Sequence, residues 1–217
     1  MDKLEKIIGH TYKNKDLLLR ALTHSSFANE NKIESYERLE FLGDTLLQTV
    51  VSLELFNRTD LNEGELSKLR AKLVSENYLE KVSDKIGITS NIYVGKSVRN
   101  ISNSIKADVV ESIIASLFLD SGFEASKKFI IDNIIVSDIN IYQVYDEIVD
   151  YKTILQEKLQ GKVERIEYKL IEKTGSEHKP VFKVELNIDK KRISVESGSS
   201  LKLAEQKCAK TAVEKMF

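Results

Sequence analysis

Residues 36–47 read YERLEFLGDTLL, and within them Glu37, Glu40 and Asp44 recur three and four apart among Leu39, Leu42, Leu46 and Leu47. At a helical period the leucines form one apolar stripe and the acids lie along nearly one line beside it. A second pair, Asp108 and Glu111 in IKADVVESIIASLFLD, has the same three-residue spacing and the same Val, Ile and Leu surroundings. Ionised carboxylates are costly on a stripe meant for the interior. Two of them about 4 Å apart repel by roughly 4 kcal/mol at an effective dielectric near 20.

Two arrangements would offset that repulsion. Arginine or lysine partners would make an ion-paired network, with Arg38 and Arg70 as the candidates. A hard divalent cation would instead take the carboxylate oxygens as ligands, as Mg²⁺ does together with water and substrate phosphate. The spacing leaves both open. Ser25 and Ser26 lack the paired histidine and acid that a nucleophile needs, and His10 and His24 are expected to be structural.

These acids need elements to hold them. Up to about residue 145 the apolar periodicity is helical, over 15–27, 38–58, 64–87, 105–122 and 123–135, with Asn62 and Gly64 before one helix and Gly87 after it. From residue 150 the pattern changes to a short amphipathic helix at 152–161. Three period-two runs follow, RIEYKLIEKTG, VFKVELNID and KRISVES, and a final helix closes the chain. The joins are expected in GSEHKP, which holds the single proline, Pro180, and in a short turn at Asp189 and Lys190. The predicted fold class is an all-α domain over 1–146, a linker at 147–150, and a small α+β domain of αβββα order over 151–217.

Charge divides at the same place. Residues 1–150 hold 18 Lys and Arg against 24 Asp and Glu, whereas residues 151–217 hold 15 against 10. An acidic body with a basic tail domain suits a tail that meets a polyanion. In that setting the cation becomes the more economical partner for the acids, because it also neutralises the phosphate they would repel, and metal-activated hydrolysis of a phosphodiester follows as the natural chemistry. No apolar run approaches the ~20 residues a membrane span needs. The start, MDKLEKIIGH, has acids and no apolar core segment, so no secretory signal is expected and a cytoplasmic location is. Cys208 stands alone, so neither a disulfide nor a zinc site is predicted, and it is expected to be a small buried residue on the last helix.

The stretch ERLEFLGDTLL, with ALTHSSF before it, NEGELSKLRAKLVS after it and KADVVESIIASLFLDSGF later, resembles the nuclease domain of ribonuclease III. DYKTILQE and the αβββα segment resemble that family's double-stranded-RNA-binding module. The resemblance covers nearly the whole chain in the family's domain order. It implies a homodimeric endoribonuclease that cuts double-stranded RNA with Mg²⁺, or Mn²⁺ in its place, and without a small-molecule cofactor or a membrane. The products would be 5′ phosphates and 3′ hydroxyls with short 3′ overhangs, in RNA processing such as maturation of rRNA precursors. It also implies that Glu40, Asp44, Asp108 and Glu111 hold the metal, with Asp44 and Glu111 most directly engaged in catalysis. Glu37 and Glu63 match cleft positions tied to RNA processing, and Phe41 matches an aromatic that enters a socket on the partner subunit. The alternative is a non-catalytic duplex-RNA-binding scaffold with the same fold; retention of all four acids weighs against it.

For RNA, the resemblance implies three contacts. Thr153, Gln156 and Glu157 on the first helix of the module would meet one minor groove and His178 in the GSEHKP loop the next. The start of the last helix, with Lys202 and Lys207, would meet the phosphates between them. The last contact departs from the family pattern, because Glu196 replaces its first glycine and Leu201 its first lysine. Weaker binding, or a shallower salt dependence, is expected.

Overall fold

The computed structural model describes residues 2–176 and 179–217, except the side chains of residues 2, 138 and 139. His178 lies outside the described residues. The chain forms two compact units that divide between Ile148 and Val149, each with its own core.

The first unit is helical: α1 (Asp2–Ile8), α2 (Lys15–Ala21), α3 (Ser25–Asn31), α4 (Glu37–Arg58), α5 (Glu63–Leu73), α6 (Glu76–Ile86), α7 (Asn103–Ser121), α8 (Phe123–Ile130) and α9 (Asp138–Ile148). A single π-helical turn over Ile131–Ile135 extends α8. The centre is α7. Val109, Val110, Ile113, Ile114 and Ala115 are fully buried, so this helix is apolar on nearly every side, as a core helix is. Helices α2, α4, α6 and α8 pack around it. Asp108 and Glu111 therefore project from the most enclosed element of the unit.

Two segments expected as continuous helices are broken. The 64–87 stretch separates into α5 and α6 because Ser75 is extended and starts α6, while its hydroxyl donates to the Lys72 carbonyl at 2.7 Å. The 15–27 stretch ends at Leu22 because Thr23 pairs with Tyr93 and His24 caps α3, its Nδ1 accepting from the Ser26 N–H. In both places the apolar period runs through the break, and a Ser or His N-cap interrupts it.

The second unit has the expected αβββα order: α10 (Tyr151–Leu159), β1 (Ile166–Ser176), β2 (Lys179–Ile188), β3 (Lys191–Gly198) and α11 (Leu201–Met216). The sheet is antiparallel in the order β1-β2-β3. Leu155 and Leu159 of α10 and Ala204, Cys208, Ala209 and Ala212 of α11 pack on Val184, Leu186 and Ile188. Cys208 is buried there, its thiol donating to the Val184 carbonyl at 3.2 Å. Asp189 and Lys190 both have positive φ and join β2 to β3 as a two-residue turn. The first hairpin differs from expectation. Its strands continue through Gly175 opposite Pro180 to Ser176 opposite Lys179, so Pro180 sits in β2 and not in a loop. Strand β3 pairs only as far as Phe182, so among the described residues no neighbour on that side requires an N–H from Pro180.

Candidate active site and nucleic-acid interface

Carboxylate oxygens of Glu40, Asp108 and Glu111 all lie within 4.8 Å of one another, and each side chain is half-buried. Helix α4 supplies the first and α7 the other two. Their approach depends on Gly43, one turn after Glu40: a β-carbon there would stand 1.8 Å from the Glu111 carbonyl oxygen. Only glycine lets the two backbones meet at this point.

Tyr36 holds Asp108 by a hydrogen bond. Its buried phenol donates to Asp108 Oδ2 at 3.0 Å, and its carbonyl accepts the N–H of Glu40 at 2.9 Å. Burial is the largest cause raising the pKa of each of the three acids. In Glu111 the charges of Asp44, Asp108 and Glu40 add to it, and the carboxyl is pushed up to about 8. Asp108 is raised less freely because the Tyr36 hydrogen bond opposes burial.

Among the described residues, none of the four expected metal ligands is ion-paired with Lys or Arg. Arg70 donates instead to Ser52 Oγ at 3.1 Å. The lysine of α7, Lys106, pairs with Asp84 at 2.7 Å and Glu80 at 3.6 Å of α6. The cluster thus lacks the basic partners of an ion-pair network, and its donor set of half-buried oxygens is compatible with a hard metal ion.

The other expected acids stand at different distances from this group. Asp44 raises Glu111 electrostatically, yet its two oxygens accept from Gln48 Nε2 at 2.8 and 3.0 Å, and it is not among the three converging groups. Glu37 is exposed, accepts from Ser35 Oγ at 3.0 Å and adds to the repulsion on Glu40. Glu63 begins α5, accepts from Ser67 Oγ at 3.0 Å, and lines a separate cleft of about 710 Å³ with Leu53, Phe56, Leu66 and Arg70. Phe41, one residue after Glu40, points away from the core and is 79% exposed; Phe56 farther along α4 is 73% exposed. His10 donates to Asp120 at 2.9 Å, fastening the start of the chain to the end of α7.

Tyr36, Gly43 and Gln48 were not singled out from the sequence. Gly43 carried a usable signal, because a glycine inside a 22-residue helix costs about 1 kcal/mol relative to alanine unless close packing requires it. Gln48 follows Asp44 by four, a spacing at which side chains meet. The destination of Tyr36, 72 residues away in sequence, left no local trace.

In the second unit, Thr153, Gln156 and Glu157 are exposed on α10. They line a groove of about 570 Å³ with Lys152, Arg165 and Tyr168. Asp150 caps this helix by accepting from the Thr153 N–H at 3.1 Å. At the start of α11, Lys202 is exposed between Leu201 and Leu203, which are 41% and 36% exposed. Lys207 is exposed too and donates to the Ser197 carbonyl at 3.2 Å. Gly198 is the second glycine of the family pattern; a β-carbon there would meet the Ala204 nitrogen at 2.7 Å. Glu196, at the first, turns toward α11 and accepts from Thr211 Oγ1 at 2.9 Å.

Comparison with known proteins shows the family. Residues 14–138 match the Ribonuclease-III-like family model and residues 151–216 the double-stranded RNA binding motif. The chain is 40% identical over 228 residues to Ribonuclease 3 of Streptococcus thermophilus, covering 99% of this chain and 96% of that protein. It is 42% identical to Ribonuclease 3 of Caldanaerobacter subterraneus, covering 98% and 96%. A solved nuclease domain of Ribonuclease III from Campylobacter jejuni superposes with a TM-score of 0.57 at 38% identity, over 61% of this chain and 94% of that one. The chain is a member of the ribonuclease III family of endonucleases, with a helical nuclease domain followed by a double-stranded-RNA-binding domain.

Proposed function

We propose that this protein is a homodimeric, Mg²⁺-dependent endoribonuclease that cuts both strands of duplex RNA, with Mn²⁺ able to substitute. The observation that carries the reading is the convergence of Glu40, Asp108 and Glu111 within 4.8 Å with no Lys or Arg ion-paired to them among the described residues. Glu40, Asp44, Asp108 and Glu111 would hold the metal. Asp44 has to exchange its hydrogen bonds with Gln48 to join the set, which an exposed glutamine permits. When bound, the ion activates a water for in-line attack and offsets the charge gathering on the phosphate.

The chain's own residues do the rest. Burial and the charges of Asp44, Asp108 and Glu40 push the Glu111 carboxyl up to about 8, so it would have to give up a proton to serve as a metal ligand. Glu40 and Asp108 enter from separate helices and converge with Glu111, and a metal held there would set the place of the scissile phosphate. As the water oxygen bonds to phosphorus the bond to the 3′ oxygen breaks, leaving a 3′ hydroxyl and a 5′ phosphate. A second copy, joined through the exposed Phe41, provides the second cut and the short 3′ overhang. The Campylobacter jejuni nuclease domain, 38% identical, has a region involved in dimer formation, which supports this assembly. Thr153, Gln156, Glu157, His178, Lys202 and Lys207 are the proposed RNA contacts, Glu37 and Glu63 the proposed cleft residues, and residues 147–150 the proposed linker. Maturation of rRNA precursors in the cytoplasm is the proposed setting.

The test is incubation of duplex RNA with the wild type, Asp44→Asn and Glu111→Gln, in Mg²⁺ or EDTA. Product with 5′ phosphates is expected only from the wild type in Mg²⁺. Binding without cutting by the wild type would identify a scaffold, and equal cutting by all would exclude the metal mechanism.

A further inference from the structure

We propose that Tyr36 is a positioning residue for the metal centre, holding Asp108 of α7 through its phenol while its backbone begins the helix that carries Glu40. The inference rests on the metal-dependent reading above. Tyr36 is 2% exposed, and its N–H donates to the Thr23 carbonyl at 2.9 Å, so the residue is fixed before its side chain is considered. It stands at the N-cap of α4, a place where Ser, Thr, Asp or Asn would accept a backbone N–H, but its side chain makes no such bond. The hydroxyl instead spans to Asp108 Oδ2 at 3.0 Å. The ring of His24 lies against it, centroids 5.8 Å apart, and limits its swing.

The same residue therefore sets two ligands from two helices. Its carbonyl accepts the N–H groups of Leu39 at 2.7 Å and Glu40 at 2.9 Å, fixing the first turn of α4, and its phenol holds Oδ2 of Asp108. The choice of donor matters. A lysine or arginine in this position would also orient Asp108, but its charge would cancel part of the field that attracts a cation. A phenol orients the carboxylate and stays neutral. It uses one acceptor site on one oxygen and leaves the remaining acceptor capacity to the ion. Donors behind metal-ligating side chains typically contribute 10- to 100-fold in metal affinity or activity.

Tyr36→Phe keeps the buried ring and deletes only the donor. The experiment titrates Mn²⁺ into the full chain, following the paramagnetic resonance signal of free Mn²⁺, for the wild type, Tyr36→Phe and Asp108→Asn. Duplex-RNA cleavage is measured in parallel against Mg²⁺ concentration. Tyr36→Phe is expected to bind Mn²⁺ about tenfold more weakly, and its Mg²⁺ midpoint to rise by a similar factor. Its rate at saturating Mg²⁺ should return to within a few-fold of the wild type, with an unchanged circular-dichroism spectrum. A merely structural role would lower the plateau without moving the midpoint, and would overturn the proposal. Equal Mn²⁺ affinity and an equal midpoint would overturn it as well. Wild type that binds no Mn²⁺, or Asp108→Asn that binds it as tightly, would refute the metal reading itself and this inference with it.

Discussion

Gly43 and the carbonyl of Glu111 stand in such close approach that a β-carbon on Gly43 would lie 1.8 Å from that oxygen. The atom met is backbone in the middle of the most buried helix, so it cannot swing aside as a flexible side-chain end would. Gly43→Ala is expected to force α4 and α7 apart and to cost about 3 kcal/mol in urea unfolding, at the upper end of overpacking costs. Cleavage should fall further than the loss of folded protein explains, because the same displacement separates Glu40 from Glu111. A variant with wild-type stability and activity would show that the two helices do not meet there.

The raised pKa of Glu111 makes stability depend on pH in the absence of metal. Its folded value, about 8, exceeds its ordinary value of 4.5, so the folded protein holds the extra proton between these limits. The stabilisation is therefore complete below about pH 4.5 and is lost as pH rises through 8. In EDTA the wild type should weaken from pH 6 to 8.5 by roughly 2 kcal/mol, once solvent screening of a half-buried group is allowed for. Glu111→Gln should flatten that decline and be the more stable protein at pH 8.5. Parallel curves for the two proteins would contradict this assignment.

Leu201 is exposed where the family pattern has its first lysine, with Lys202 beside it. Leu201→Lys should add one phosphate contact, tighten duplex-RNA binding at moderate salt, and steepen the dependence of log K on log salt by about one unit. The measurement is fluorescence anisotropy with labelled duplex across a salt series. An unchanged slope would mean that the start of α11 does not face phosphate.

Phe41, 79% exposed on the solvent face of α4 with Arg38, Thr45 and Gln48, contributes little to the fold of its own chain. Phe41→Asp should leave the thermal midpoint of an isolated chain nearly unchanged while shifting sedimentation from dimer to monomer at micromolar protein. Retention of the dimer would place the interface elsewhere.

The division into a helical body and an αβββα tail was legible because hydrophobic period is a local property, and it changes from 3.6 to 2 near residue 150. The turn at Asp189 and Lys190 was legible for the same reason. The breaks at Thr23 and Ser75 were not, because Leu73, Val74 and Leu79 keep a helical rhythm while Ser75 turns the backbone outward. The strand pairing of Gly175 with Pro180 also ran against local signals, since both residues ordinarily mark loops. At the candidate site the acids stood out because charge on an apolar stripe needs an explanation. The phenol of Tyr36 did not, because its partner lies 72 residues away and is decided by tertiary packing, whereas Gln48 reaches Asp44 across a single turn of α4.

The most direct test is a crystal of the protein soaked with Mn²⁺ and measured at the manganese absorption edge. An anomalous peak within about 2.2 Å of carboxylate oxygens from Glu40, Asp108 and Glu111 is the predicted result, since small divalent ions bind oxygen at about this distance. No peak beside those side chains, or a lysine or arginine seated among them, would contradict the account.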